Sequence, residues 1–217
     1  MRVKTTILAG LLIAGVLVAP AAAQAPAAQP AADPNTWQID TAHTTAGFSV
    51  RHMMVTNVHG TLGKVTGTIK YDGKDLSTLV VDATIDATGI NTNEPKRDAH
   101  LKSADFFDVA NHPTITFKSK RVEKGATPGT FKLLGDLTMR GVTKEVVLDV
   151  EGPTEPVNAG RVTKIGATAT TTLNRKDFNI NYHRTLDSGG LVVADTVKVT
   201  LEVEANRPNP AAATSQN

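Results

Sequence analysis

Apolar and polar side chains alternate with a period of two through most of the chain beyond Thr36, and the alternation is sharpest between Phe48 and Tyr71. Phe48, Val50 and His52 share one parity. Val58, Gly60 and Leu62 stay on even positions, and the apolar set then moves to the odd positions Val65, Gly67, Ile69 and Tyr71. One extra residue near Gly63 and Lys64 produces such a shift. The spacing therefore predicts a β-bulge that bends a long strand while its apolar face keeps one direction. Long, bent, two-faced strands suit a sheet that closes on itself, apolar inside and wet outside.

The same period recurs downstream. Val81, Ala83, Ile85 and Ala87 alternate with Asp82, Thr84 and Asp86, and Ile115, Phe117 and Ser119 alternate with Thr116, Lys118 and Lys120. Phe131, Leu133, Leu137 and Met139 continue the series into a turn at Arg140-Gly141 and a strand through Val146, Leu148 and Val150. Ile165, Ala167, Ala169 and Leu173 mark another strand, and Val197, Val199, Leu201 and Val203 the last. About eight half-buried strands joined mostly by short turns predict an all-β fold: a meander, a sandwich or an up-and-down barrel. One segment breaks the pattern. Asn93 as N-cap, Glu94 and Pro95 in the first turn and basic residues towards Lys102 predict a short surface helix. After it, Phe106 and Phe107 stand side by side in a loop and need burial, so this piece is expected to cross a barrel end or a ligand entrance.

The N-terminus changes the domain count and the charge. Arg2 and Lys4, an apolar run from Ile7 to Val18 and the small residues Ala21 to Ala23 predict a secretory signal peptide over 1–23. A disordered Ala/Pro/Gln linker over 24–35, one β-domain over 36–206 and a disordered tail over 207–217 follow. With Arg2 and Lys4 removed, 21 of the 23 Lys and Arg face 21 Asp and Glu, so the mature chain carries no formal net charge. Its basic whole-chain pI is no pointer to nucleic acid. The chain has no cysteine, so no disulfide framework holds the exported domain.

Candidate chemistry is sparse. His43, His52, His59, His100, His112 and His183 make no H-x-x-x-H or H-E-x-x-H pair, and no metal site is expected. No serine sits in a G-x-S-x-G elbow and there is no glycine-rich phosphate loop. Asp105 and Asp108 flank the phenylalanine pair as turn-capping residues. No catalytic set assembles, and the chain reads as a binding protein, not an enzyme.

Four stretches in order carry a family resemblance. They are Trp37-Gln-Ile-Asp-Thr-Ala-His43, Gly47-Phe-Ser-Val-Arg-His-Met-Met54, Arg97-Asp-Ala-His-Leu-Lys-Ser-Ala-Asp-Phe-Phe-Asp108 with His112-Pro-Thr-Ile-Thr-Phe-Lys-Ser119, and Leu137-Thr-Met-Arg-Gly-Val-Thr-Lys144. From about Trp37 to Glu204 the chain resembles the YceI-like proteins, exported bacterial proteins with a lipocalin-like barrel that bind polyisoprenoids and related long-chain amphiphiles. Where that family commonly reads Arg-x-x-Phe-Gly, this chain has Arg175-Lys-Asp-Phe-Asn179; asparagine tolerates the left-handed backbone nearly as well as glycine, so the turn is expected to survive. The stretch from Asn181 to Gly190 has no readable pattern and is expected to be a loop near a barrel end.

The resemblance implies an eight-stranded antiparallel lipocalin-like barrel with one short surface helix. It also implies an elongated cavity lined by Phe48, Val50, Ile69, Ala83, Ile85, Phe117, Leu133, Leu148, Ala169, Val199 and Leu201. Small Ala83, Ala169 and Gly67 leave room inside, Phe106 and Phe107 close the entrance, and Arg51 and His52 stand near the mouth to meet a head group. The implied ligand is a polyisoprenoid or similar long-chain amphiphile, for example an isoprenoid quinone or its precursor, with no other cofactor. The implied setting is the periplasm or the secreted fraction, with transient membrane contact; the oligomeric state is left open, with a homodimer among the options. A β-sandwich interaction or adhesion module is the rival, because alternation alone does not separate sandwich from barrel. A membrane-spanning barrel is disfavoured by Lys64, Lys70, Lys118, Lys120 and Lys144 on the polar faces.

Overall fold

The computed structural model describes residues 33–187 and 189–209. The strands are β1 (Thr36–Ile39), β2 (Thr45–His52), β3 (Thr56–Thr61), β4 (Val65–Lys70), β5 (Val80–Asp86), β6 (Thr114–Lys124), β7 (Thr130–Met139), β8 (Val142–Glu151), β9 (Val157–Asn158), β10 (Val162–Asn174) and β11 (Val193–Pro208). Among the described residues one α-helix, α1 (Pro95–Lys102), lies between β5 and β6. The hydrogen-bonded order is β3-β2-β11-β1-β4-β5-β6-β7-β8-β10-β9, and a further pairing of β10 with β11 closes the ring. Two of the staves are bent. β2 and β1 pair successive parts of β11, while β3 pairs β2 and β4 pairs β1, so β1/β2 and β3/β4 each count once. With β9 a two-residue appendage, the result is a closed eight-stranded antiparallel barrel, and the sandwich is overturned.

The bend falls where the parity shift places it, but its form differs from a bulge. Residues 62–64 lie between the two strands, β3 pairing β2 and β4 pairing β1 and β5. Gly63 has φ +120°, and a Cβ there would meet the Asp86 carbonyl at 2.0 Å, so only glycine allows the approach. The Leu62 amide donates to the Ala46 carbonyl at 2.9 Å and the Asp86 amide to the Lys64 carbonyl at 2.9 Å. Leu62 and Val65 are both buried, so the apolar face keeps its direction through the break. Register irregularities sit elsewhere, between Ser119 and Arg121 in β6 and between Val193 and Val197 in β11. The turn at Arg140-Gly141 is as expected: both residues have positive φ (49° and 73°) and Met139 pairs Val142 across it.

The helix cap is corrected by one residue. Glu94 is the N-cap, its side chain accepting from the Lys96 amide at 2.9 Å, because Asn93 is itself left-handed at φ 61°. Asn179 is also left-handed (φ 59°) and ends the 3-10 turn Arg175–Phe178, preserving the turn that glycine would make. Strand directions put the β2–β3 turn, α1 and its flanks, Arg140-Gly141 and the segment 175–192 at one end of the barrel, here the helical end. β11 reaches Pro208, two residues into the stretch expected as tail. The stretch expected as a signal peptide, and nearly all of that expected as a linker, lie outside the described residues.

Candidate ligand cavity

On β10 the inward side chains Ile165, Ala167, Ala169, Thr171 and Leu173 face, pair by pair, Ala205, Val203, Leu201, Val199 and Val197 of β11. Small residues stand opposite larger ones, so the wall is set back there. On the far wall Ala83 is in register with Phe117, and Phe117 with Leu137. These rows bound a cavity of about 190 Å³ that runs from Leu79 and Pro153 at one end to Phe107 and Ile180 at the helical end. Its wall is almost wholly carbon. From Ile165 to Leu173 at about 3.3 Å per residue, with strands tilted by about 40°, the lumen is roughly 20 Å long. That exceeds the roughly 15 Å half-thickness of a bilayer's hydrocarbon core. The space is long and slender, and suits a single hydrocarbon chain better than a compact molecule.

Eleven of the fourteen sequence-derived positions, Phe48, Ile69, Ala83, Ile85, Phe107, Phe117, Leu133, Leu148, Ala169, Val199 and Leu201, line this cavity. Three do not. Val50 pairs Val197 and Val58 on the inward parity of β2 but is not part of the lining, although Val197 is. His52 is at the last rung of β2, between Thr56 of β3 and Val193 of β11, and is not part of the lining. Phe106 is buried at 7% exposure but packs away from the lumen, its ring 5.0 Å edge-on from His100 and 4.8 Å from Tyr182. The two phenylalanines thus separate: Phe107 lines the lumen and Phe106 fastens its loop. Gly67 leaves no room inside either, since a Cβ there would strike the Asp82 carbonyl at 2.1 Å; it permits close backbone approach of β4 to β5.

Sequence reasoning missed Arg175 and Ile180. Arg175 is 5% exposed and abuts the end of the cavity. Its guanidinium donates to the carbonyls of Ile180 (2.6 Å), Ala194 (3.1 Å) and Val193 (3.4 Å) and to the Asp195 carboxylate (2.8 Å). It clips the irregular start of β11 and the loop end to the 3-10 turn, satisfying carbonyls that the broken ladder leaves free. A hydrogen bond from Lys176, and then the charge of Arg175, hold the Asp195 carboxyl below the usual range. The arginine and phenylalanine of the Arg175-x-x-Phe178 pattern, both buried, were the available signal.

The barrel wall is uneven. β8 pairs β7 along its whole length but meets β10 only through Asp149–Glu151 with Thr168–Thr170. Beside Val142–Leu148 and Thr171–Asn174 the ladder is open, and Val146, Leu148, Thr171 and Leu173 of the lining flank the gap. Outside the barrel, Asp40, His43 and Glu204 converge as metal ligands could. The Lys164 ammonium already contacts Glu204 and stands 3.7 Å from Asp40, so the cluster supplies its own cation. The His43 hydrogen bond, then that of Asn206, holds Asp40 far below the ordinary carboxylate range.

Comparison with known proteins agrees with this geometry. The YceI-like domain model matches residues 37–205. The UPF0312 protein SA2479 of Staphylococcus aureus is 37% identical over 168 residues, spanning 76% of this chain and 94% of that relative. Among solved structures, the YceI protein of Campylobacter jejuni is 29% identical with a TM-score of 0.59, covering 73% of this chain and 90% of that one. BcnA of Burkholderia cenocepacia (TM-score 0.64, 19% identity, 76% and 98% coverage) shares the fold. So does a polyisoprenoid binding domain from Saccharophagus degradans implicated in plant cell wall breakdown (TM-score 0.59, 15% identity, 79% and 98% coverage).

Proposed function

The chain belongs to the YceI-like family, and from that premise we propose that it holds the hydrocarbon chain of a polyisoprenoid or similar long-chain amphiphile in its barrel, as an exported carrier or buffer. The observation that carries this reading is the continuous, slender, carbon-walled cavity. The Saccharophagus domain of the same fold, described as polyisoprenoid binding, supports the ligand class. With almost no polar atom on the wall, the buried part of the ligand is pure hydrocarbon and its head group stays at an end. An isoprenoid quinone or its precursor meets that requirement.

Burying such a chain from water is worth about 0.8 kcal/mol per CH₂. A lipid in a bilayer is already buried, however, so transfer between two apolar hosts is near neutral and reversible. That balance suits shuttling rather than storage. The leader-like segment Met1 to Ala23 supports export to the periplasm or beyond.

The test is organic extraction and mass spectrometry of protein purified from its native cell envelope. About one long-chain lipid per barrel is expected. Ala169→Trp, which fills the lumen opposite Leu201, should abolish that load at a stability cost of at most about 1–3 kcal/mol. Absence of stoichiometric lipid from the wild type, or a full load in the tryptophan variant, would overturn the reading.

A further inference from the structure

At the helical end, β2 and β3 are joined by the turn Met53-Met54, followed by Val55. These three consecutive residues are 42%, 59% and 76% exposed. The other large apolar residues exposed among the described residues, Val80, Val147 and Val157, stand singly on separate strands, as isolated surface apolar residues commonly do. Backbone conformation makes the tip more telling. Met53 and Met54 both have positive φ (50° and 60°), the conformation of a two-residue hairpin turn that Asn-Gly adopts without strain. Two methionines are held there instead, against their backbone preference, with flexible apolar side chains facing solvent.

The surroundings say what such a tip meets. Arg51, exposed, lays its guanidinium along the turn and donates to the Met54 carbonyl at 3.1 Å. Arg184, also exposed, lies in the adjoining loop, and neither arginine is in an ion pair among the described residues. Asp187 is the one acidic residue between Tyr182 and Val192, against Arg51, Arg184 and the ring of His183. An apolar point flanked by two arginines, without ion pairs among the described residues, matches an anionic bilayer surface: methionine and valine enter the head-group region while arginine stays among the phosphates.

The tip is also coupled to the cavity. The Met53 amide donates to the Val192 carbonyl at 2.9 Å, and Val193 pairs His52. The segment that ends at Val192 begins at Ile180, which lines the lumen, and passes Tyr182, which packs on Phe106. Resting on the proposed carrier role, we propose that Met53-Met54-Val55, with Arg51 and Arg184, is the element that docks the helical end of the barrel on an anionic membrane, placing the Phe107 end of the cavity at the lipid surface.

The test uses the full mature chain and the variant Met53→Asn/Met54→Gly/Val55→Thr. Asn-Gly suits the turn, so the variant should melt no lower than the wild type while losing the apolar point. Flotation with phosphatidylcholine vesicles, with and without phosphatidylglycerol, reads docking without reference to cargo. Wild type is expected to float with the anionic vesicles, and the variant to bind them about tenfold more weakly. Arg51→Gln/Arg184→Gln should remove most of the preference for phosphatidylglycerol. Equal flotation of wild type and the Asn-Gly-Thr variant, or none by wild type, overturns the proposal. So does a wild-type dimer that the variant abolishes without any vesicle binding, which would make a second copy the occupant. Extractable cargo is scored separately: lipid in the barrel without flotation sinks the docking element alone, and flotation without cargo sinks the carrier alone.

Discussion

Along one edge β10 is paired with β11 from Val162 to Asn174, thirteen residues, whereas along the other it meets β8 over Thr168–Thr170 alone. Both edges carry the same kind of inward residue: Leu173 and Thr171 on β10, Val146 and Leu148 on β8, Val197 and Val199 on β11. The difference therefore does not lie in hydrophobicity. At the open seam side chains replace the ladder, with Phe178 of the 3-10 turn, 1% exposed, in one cluster with Val142 and Val146. Packing without backbone hydrogen bonds excludes water yet yields to small movements more readily than a ladder does. One wall of the barrel is thus a frame held by a continuous ladder, and the other a seam held largely by side chains.

The largest effect expected from this difference is in amide hydrogen exchange. Amides of Val142–Leu148 that point towards β10 should exchange roughly a thousandfold faster than those bridging β10 and β11, which are expected to open only with global unfolding. Equal protection on both edges would remove the distinction. Next comes Arg175→Leu. It strips three carbonyls and Asp195 of their partner beside the seam, and should cost about 3–5 kcal/mol in denaturant unfolding. It should also raise exchange in β8 before it affects the centre of β11. A loss confined to β11 would show that the clip serves the frame rather than the seam.

How much of this could be seen in the residues alone divides along the same line. Period-two alternation places β5, β6, β7, β8, β10 and β11, and with them most of the cavity lining, because inward parity on a strand is a local property. The break at Gly63 was visible as a parity shift, though a residue's parity does not say whether a strand bulges or changes partner. The seam was not legible: Val146 alternates as cleanly as Val199, and pairing extent depends on register across more than twenty residues. Arg175 was hidden for a related reason, since its partners are carbonyls of the irregular 180–195 stretch and carry no side-chain signal. The separation of Phe106 from Phe107 turns on Tyr182, in a segment with no readable pattern.

That pair sharpens the comparison, because it separates end entry from entry through the seam. Phe106→Ala, removing a 7% exposed ring from between His100 and Tyr182, should cost about 3–5 kcal/mol. Phe107 is only half-buried and faces the lumen, so Phe107→Ala should cost less and speed lipid exchange with vesicles several-fold while the β-sheet spectrum is unchanged. Unaltered exchange in Phe107→Ala, with the open seam already shown by its amides, would assign entry to the β8–β10 side.

The smallest effect is a pH dependence at the clip. Asp195 accepts from Lys176 at 2.7 Å and from Arg175 at 2.8 Å, and both cations favour its ionised form, so its folded pKa lies below that of the unfolded chain. Between those two values the unfolded state binds more protons, and stability must fall as pH falls. The contribution is complete above the unfolded aspartate value of about 4 and is lost as acid protonates the folded carboxyl. Asp195→Asn keeps an oxygen for Arg175 but loses the charge. Its unfolding free energy at neutral pH should be lower by about 1–2 kcal/mol, and its acid limb shallower than that of the wild type. Other depressed carboxylates, Asp40, Asp72, Asp75, Asp86 and Glu145, remain in the variant and keep a residual slope. Since Arg175 abuts the lumen and the seam, lipid release should also quicken in the same acid window in the wild type and lose part of that response in Asp195→Asn. Parallel acid limbs in the two proteins would show that the clip does not depend on this charge and that the carbonyl bonds of Arg175 hold it alone.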